Sequence, residues 1–176
     1  MQYIYKIKNM KYLNSKVESI LKEHLEGGSK IFDALDMMIR SDIDILKAFT
    51  HFVDDNLVGF GTNRQCGVVL SGNFGMALIN TQLSWLTKTF NDIIIVSGGI
   101  RNGVEPEIYR NNGMQMSNNY VFLDDSFYSG KTRDNISKAI GKAYGTIGHS
   151  INQTFVIYDG SKKSKNVASM FKYYNK

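Results

Sequence analysis

From residue 66 onward, short unbroken apolar runs alternate with longer segments of helical period. Cys66–Leu70, Asp92–Val96, Tyr120–Leu123 and Thr154–Tyr158 read as strands buried on both faces, because no polar alternation interrupts them. Between them, Met76 to Thr89 places Leu78, Ile79, Leu83 and Leu86 on one helical side, and a second helix runs from the loop ending at Thr132 to about Tyr144. Tyr3 to Lys8 alternates apolar and basic residues, as a short edge strand does. The first third reads as mainly helical. Asn14 or Ser15 caps a segment to Glu26 with Val17, Ile20, Leu21 and Leu25 on one face, and Gly27-Gly28 ends it. Ser29 opens a second segment through Ile31, Leu35, Met38 and Ile39. A third covers Asp42 to Asn56, with Ile43, Ile45, Leu46, Phe49, Phe52 and Val53. The tail, Asn166 to Tyr174, is expected to form a last helix.

Strands alternating with helices imply an α/β fold, a mainly parallel sheet between two helical layers. The chain is expected to form one domain over residues 1–176: a mainly helical part over 1–64, an α/β core over 65–160 and a C-terminal helix over 161–176. In such sheets ligands bind at the carboxyl ends of the strands. Small-residue loops follow Leu70, Val96 and Leu123 at that edge.

The segment VFLDDSFYSGKT carries the most chemistry. An apolar strand runs into Asp124 and Asp125, and a loop of small and hydroxyl residues then leads into a helix. A loop closing on a helix N-terminus offers unpaired N–H groups and the positive end of the helix dipole, which suits a phosphate. The carboxylates repel a phosphate. They suit vicinal hydroxyls as hydrogen-bond acceptors, or a nearby magnesium ion. A phosphorylated sugar satisfies both halves. The Gly130-Lys131-Thr132 ending invites a nucleotide-triphosphatase loop, but that pattern needs a glycine where Asp125 stands.

Composition narrows the setting. With 43% hydrophobic and 12% aromatic residues, the 176-residue chain has a globular composition rather than a disordered one. A single Cys66 excludes an internal disulfide, and His24, His51 and His149 follow no metal-ligand spacing. No run approaches the ~20 apolar residues of a membrane span. The opening residues lack an apolar stretch with a cleavage site, so the cytoplasm is the expected compartment. The net charge of +5 is open to a nucleic acid, an anionic membrane surface or a polyanionic small molecule as partner, or to a solvated face that serves solubility, but no zinc finger, basic zipper or RNA-binding aromatic motif is present.

The motif resembles the phosphoribosyl pyrophosphate signature of type I phosphoribosyltransferases, and element order resembles that family over roughly Cys66 to Tyr158. The resemblance implies that Asp124 and Asp125 bind the ribose hydroxyls and lie near Mg2+, which they hold indirectly. It implies that Ser126, Phe127, Tyr128, Ser129, Gly130, Lys131 and Thr132 wrap the 5′-phosphate. Ser71, Gly72 and Asn73 occupy the place of the family's pyrophosphate loop, without the basic residue several purine-specific relatives carry. Ser97 to Asn119 matches the long loop that closes over the reacting centre, with Arg101 and Arg110 as candidates to contact pyrophosphate. Tyr128 replaces a carboxylate found in purine-salvage members, which puts a hypoxanthine-guanine specificity in doubt. The implied activity is transfer of ribose 5-phosphate to a nitrogenous base with release of pyrophosphate, with Asp124, Asp125 and Arg101 as catalytic residues. The alternative is a non-catalytic regulator or structural protein that binds the sugar phosphate or a nucleotide, with a basic surface for nucleic acid. A homodimer and an acceptor-binding hood from the terminal segments are further implications of the family.

Overall fold

A computed structural model describes residues 3–7, 15, 19, 43–57, 66–97, 105–111, 116–145, 150–161 and 165–175. The helices expected over residues 14–26 and 29–39 lie outside these, apart from Ser15 and Ser19, which are helical. The elements in chain order are β1 (Tyr3–Ile7), α1 (Ile43–Leu57), β2 (Gly67–Ser71), α2 (Gly72–Thr89), β3 (Asp92–Ser97), β4 (Glu107–Arg110), β5 (Asn119–Phe127), α3 (Lys131–Tyr144), β6 (Ser150–Asp159) and β7 (Val167–Asn175).

The strands form one seven-stranded sheet among the described residues, in the order β1-β7-β6-β5-β2-β3-β4. Strands β7, β6, β5, β2 and β3 run parallel. The edge strands β1 and β4 are antiparallel to β7 and β3. The central strands alternate their side chains between two cores. Val68, Leu70, Val121, Leu123, Phe155 and Ile157 pack with Phe49, Phe52 and Val53 of α1 and with Phe74, Leu78 and Leu86 of α2. Val69, Tyr120 and Phe122 face the other way and pack with Ile136 and Ile140 of α3. Helices therefore cover both faces, which is why these strands read as continuous apolar runs. The α/β three-layer architecture expected from the sequence is the one found.

The direction of winding reverses between two neighbouring strands. From β2 the chain passes through α2 to β3 on one side, and from β5 it passes through α3 to β6 on the other. That reversal opens a crevice beyond the carboxyl ends of β2 and β5. Both candidate loops start there.

Four expectations need correction. The tail is strand β7, not a helix. Ser169, Met170 and Phe171 are all buried, so both faces of β7 are covered and no period of two shows in the sequence. Strand β5 does not end at Leu123 but continues through the acidic pair to Phe127, because β6 extends alongside and pairs Asp124 with Val156 and Phe127 with Asp159. The small-residue turn expected over Ser71–Gly75 is the first turn of α2, which begins directly at Gly72. The long segment from Ser97 to Asn119 includes β4, which folds back on β3 and pairs Ser97 with Glu107 and Ile94 with Arg110. No helix among the described residues is long and apolar enough to cross a membrane.

Candidate functional site

Strand β5 and the turn into α3 build a cavity lined by Phe122, Asp124 and the run 126–133. The pleat explains which side chains reach it. Phe122, Asp124 and Ser126 alternate onto the α3 face of the sheet, whereas Asp125 alternates to the face of α1 and α2 with Val121 and Leu123. The two acids thus point to opposite sides of one extended strand. The Asp125 N–H donates to Asp124 Oδ1 at 2.9 Å, and Ser126 Oγ–H donates to Asp125 Oδ1 at 2.8 Å. Both side chains are half-buried.

The turn is short. Phe127 closes the strand, Tyr128 and Ser129 are exposed, and Gly130 precedes the first residue of α3. Gly130 takes φ +78°, the left-handed region that glycine enters without steric cost. A β-carbon there would stand 3.2 Å from Phe127 Cζ. The first bond of the helix runs from the Asp134 N–H to the Gly130 carbonyl at 2.9 Å. The N–H groups of Lys131, Thr132 and Arg133 precede that bond and have no partner within the helix. The Lys131 N–H lies 3.4 Å from Ser129 Oγ, a weak contact. One wall of the cavity is therefore a helix start with unpaired N–H groups of the kind that suits an anion, and Asp124 supplies a hydrogen-bond acceptor on another.

Ser71 and Asp124 come to the same level of neighbouring strands, one residue beyond the last pair of the β2–β5 ladder, Leu70 with Leu123. Ser71 is buried, Gly72 and Asn73 are exposed, and Gly72 has φ +59°. The structure thus brings the Ser71–Asn73 segment to the same sheet edge as the acidic pair. Arg101 lies outside the described residues. Arg110 is not at this edge. Its Nε donates to Asp92 Oδ1 and Oδ2 at 2.9 and 3.0 Å, and Tyr120 Oη donates to Asp92 Oδ2 at 2.5 Å. Asp92 and Tyr120 pair with Gly67 on either side, so this network closes the amino ends of the parallel strands. A buried carboxylate that far from the ligand edge needs an arginine, and Arg110 serves that need.

Behind the turn, Tyr128 packs edge-on against Tyr158, with ring centroids 5.5 Å apart. Burial, followed by the hydrogen bond to Tyr128, holds the Tyr158 phenol protonated well above the ordinary tyrosine range. Gly160 passes so close beneath that a β-carbon would meet Tyr128 Cε1 and Tyr158 Oη at 2.6 Å. The turn after β6 is fixed in its own right. Asp159 is fully buried, accepts from the Ser161 N–H at 2.9 Å, and pairs with Lys172 Nζ of β7 at 2.6 Å. Cys66 is buried at the start of β2, and burial raises its thiol pKa, as an inert core thiol requires.

One lining residue escaped the sequence reading. Arg133, on the first turn of α3, has its guanidinium 5.4 Å from the centre of the Phe127 ring and lines the cavity. The available signal was a cation directly after the phosphate-type loop.

No family model matches the chain, and no curated protein matches it. Solved structures similar to it include a purine phosphoribosyltransferase from Pyrococcus horikoshii, 12% identical over 74% of this chain and 82% of that one, with a TM-score of 0.43. An adenine phosphoribosyltransferase from Saccharomyces cerevisiae is 10% identical over 75% and 82%, with a TM-score of 0.47. A xanthine-guanine-hypoxanthine phosphoribosyltransferase from Helicobacter pylori is 10% identical over 72% and 81%, with a TM-score of 0.46. These are distant likenesses, and the chemistry of the site rests on its own residues.

Proposed function

We propose that the chain binds phosphoribosyl pyrophosphate at the β5–α3 turn and transfers its ribose 5-phosphate to a nitrogenous base. The observation that carries this reading is the juxtaposition, in one cavity, of the Asp124 carboxylate and the N-terminal turn of α3. A helix start that welcomes an anion, beside an acceptor that would repel it, fits a ligand carrying a phosphate at one point and hydroxyls at another.

In this reading Ser126 to Thr132 hold the 5′-phosphate, Asp124 accepts from the ribose hydroxyls on the cavity side of β5, Asp125 on the other side holds the Ser126 hydroxyl in place, and Ser71, Gly72 and Asn73 receive the pyrophosphate. The bond between the anomeric carbon and the pyrophosphate oxygen breaks, and pyrophosphate leaves with the electron pair. A ring nitrogen of the acceptor then bonds to that carbon through its lone pair and gives up its proton to solvent. The chain contributes positioning and charge stabilisation, not a covalent intermediate. Arg101 is proposed to neutralise the leaving group from the loop after β3. Among the described residues no three His, Cys, Asp or Glu side chains gather as a metal cluster. Magnesium fits this donor set, because it is commonly held by one or two carboxylates together with substrate phosphates. Asp124, the carboxylate that lines the cavity, would hold it indirectly, and it would supply charge neutralisation at the pyrophosphate.

A second reading, a regulator that binds the sugar phosphate without turnover, is favoured by two features. The Ser71–Asn73 segment has no basic residue, and the phenol of Tyr128 is engaged with Tyr158 where purine-salvage enzymes carry a carboxylate. The test of binding is a calorimetric titration with phosphoribosyl pyrophosphate, with and without magnesium, on the wild type and on Asp124→Asn/Asp125→Asn. Magnesium-dependent binding that weakens at least about tenfold in the variant is expected, the loss of a charged hydrogen-bond partner. Absence of binding to the wild type would overturn the proposal. Binding without pyrophosphate release from any base supplied would select the regulator.

A further inference from the structure

We infer that Arg133 is the charged anchor of the 5′-phosphate, held in position by the Phe127 ring; this rests on the phosphate-sugar reading of the cavity. Backbone N–H groups and the hydroxyls of Ser129 and Thr132 are neutral donors. A guanidinium adds a full charge and a planar fork of donors that matches two phosphate oxygens at once.

Three observations place it there. Arg133 lines the same cavity as Asp124 and the Ser129–Thr132 turn. Its guanidinium sits 5.4 Å from the Phe127 ring centre, and Phe127 is itself only 8% exposed, so the platform is fixed by the core. Its Nη2 lies 3.7 Å from the point where a β-carbon of Gly130 would stand, which brings the fork over the glycine of the turn. The absence of that β-carbon leaves the way open between the guanidinium and the first N–H groups of α3. The competing carboxylate is a weak rival. Arg133 Nε is 3.5 Å from Asp134 Oδ1, beyond a good charged hydrogen bond, and the Asp134 side chain is 60% exposed to water. Lys131, also exposed and lining the cavity, adds a point charge without a fork.

The roles divide accordingly. Asp124 reads the sugar, the α3 start reads the shape of the phosphate, and Arg133 reads its charge. Phe127 acts on the ligand only through Arg133. The site then prefers a dianionic phosphate monoester over a neutral sugar, and its affinity falls with added salt.

The test is titration of ribose 5-phosphate into wild type, Arg133→Gln, Arg133→Lys and Phe127→Leu at low and moderate salt, with unfolding midpoints recorded for each. Arg133→Gln is expected to bind about tenfold or more weakly, the scale of a lost charged hydrogen bond, with a shallower salt dependence and an unchanged midpoint. Arg133→Lys is expected to recover the salt dependence but only part of the affinity, and Phe127→Leu to fall between wild type and Arg133→Gln. Equal affinity and salt dependence in wild type and Arg133→Gln would overturn the role of Arg133 while leaving the phosphate site standing. No binding of ribose 5-phosphate to the wild type would overturn the cavity reading as well.

Discussion

Gly130 sets the shape of the β5–α3 turn by a conformation that side chains resist. With φ +78° and Phe127 Cζ 3.2 Å from the would-be β-carbon, Gly130→Ala meets both backbone strain and a contact that must give. The substitution is expected to cost about 1–2 kcal/mol, the penalty of a left-handed residue, measurable as a lower denaturant midpoint. It should also weaken ribose 5-phosphate binding, since the first N–H groups of α3 shift with the turn. At this scale residue type and order alone point to Asp124, Asp125 and the glycine turn as a candidate site. It did not show that the acids point to opposite faces, because that depends on β5 continuing past them, and the ladder partner that extends it lies some thirty residues further on, in β6. Nothing in the sequence singles out Arg133, since only the Phe127 ring distinguishes it. Arg110 looked like a loop arginine because its partner, Asp92, opens a different strand.

Among elements, the edge hairpin β3–β4 and strand β5 are tied by the Asp92–Arg110–Tyr120 network. The Arg110 and Asp92 side chains are 6% and 0% exposed. Arg110→Met strands a buried carboxylate and is expected to destabilise the fold by about 3–5 kcal/mol, read from urea unfolding. Ligand affinity in the folded fraction should stay close to wild type, because the network closes the opposite edge of the sheet. Tyr120 adds a pH dependence. Burial and the bond to Asp92 raise its phenol above the ordinary range, and Tyr158 is raised likewise by burial and by Tyr128. Both groups are protonated in folded and unfolded chains below about pH 10, the ordinary tyrosine value. Above it the unfolded chain releases protons that the folded one keeps, so stability falls as pH rises. Unfolding midpoints between pH 8 and 11 should decline, and Tyr120→Phe/Tyr158→Phe should flatten that decline. The parallel strands β2, β3, β5 and β6 were legible because burial on both faces leaves unbroken apolar runs. Strand β7 was not, since Val167–Lys172 mixes small, polar and apolar residues without either period.

For the whole molecule, one sheet carries two cores, and the proposed ligand edge lies where the winding reverses. Strand β7 is more than an appendage to it. It stands between β1 and β6, and Lys172 neutralises the buried Asp159 beside the turn that supports Tyr128. Removing residues 167–176 uncovers β6, leaves Asp159 without its cation and deprives β1 of a partner. Such a chain is expected to be recovered in the insoluble fraction; a soluble protein with native circular dichroism would show that β7 is dispensable. The pairing of β1 with β7, Tyr3 opposite Asn175, also imposes an order in time. During synthesis β1 emerges well before β7 and waits for it to be made. At roughly 5–20 residues per second that interval is on the order of ten seconds or more. Residues 3–7 travel through it as an unpaired strand, open to wrong partners, and the seam between β1 and β7 closes only once β7 has been made.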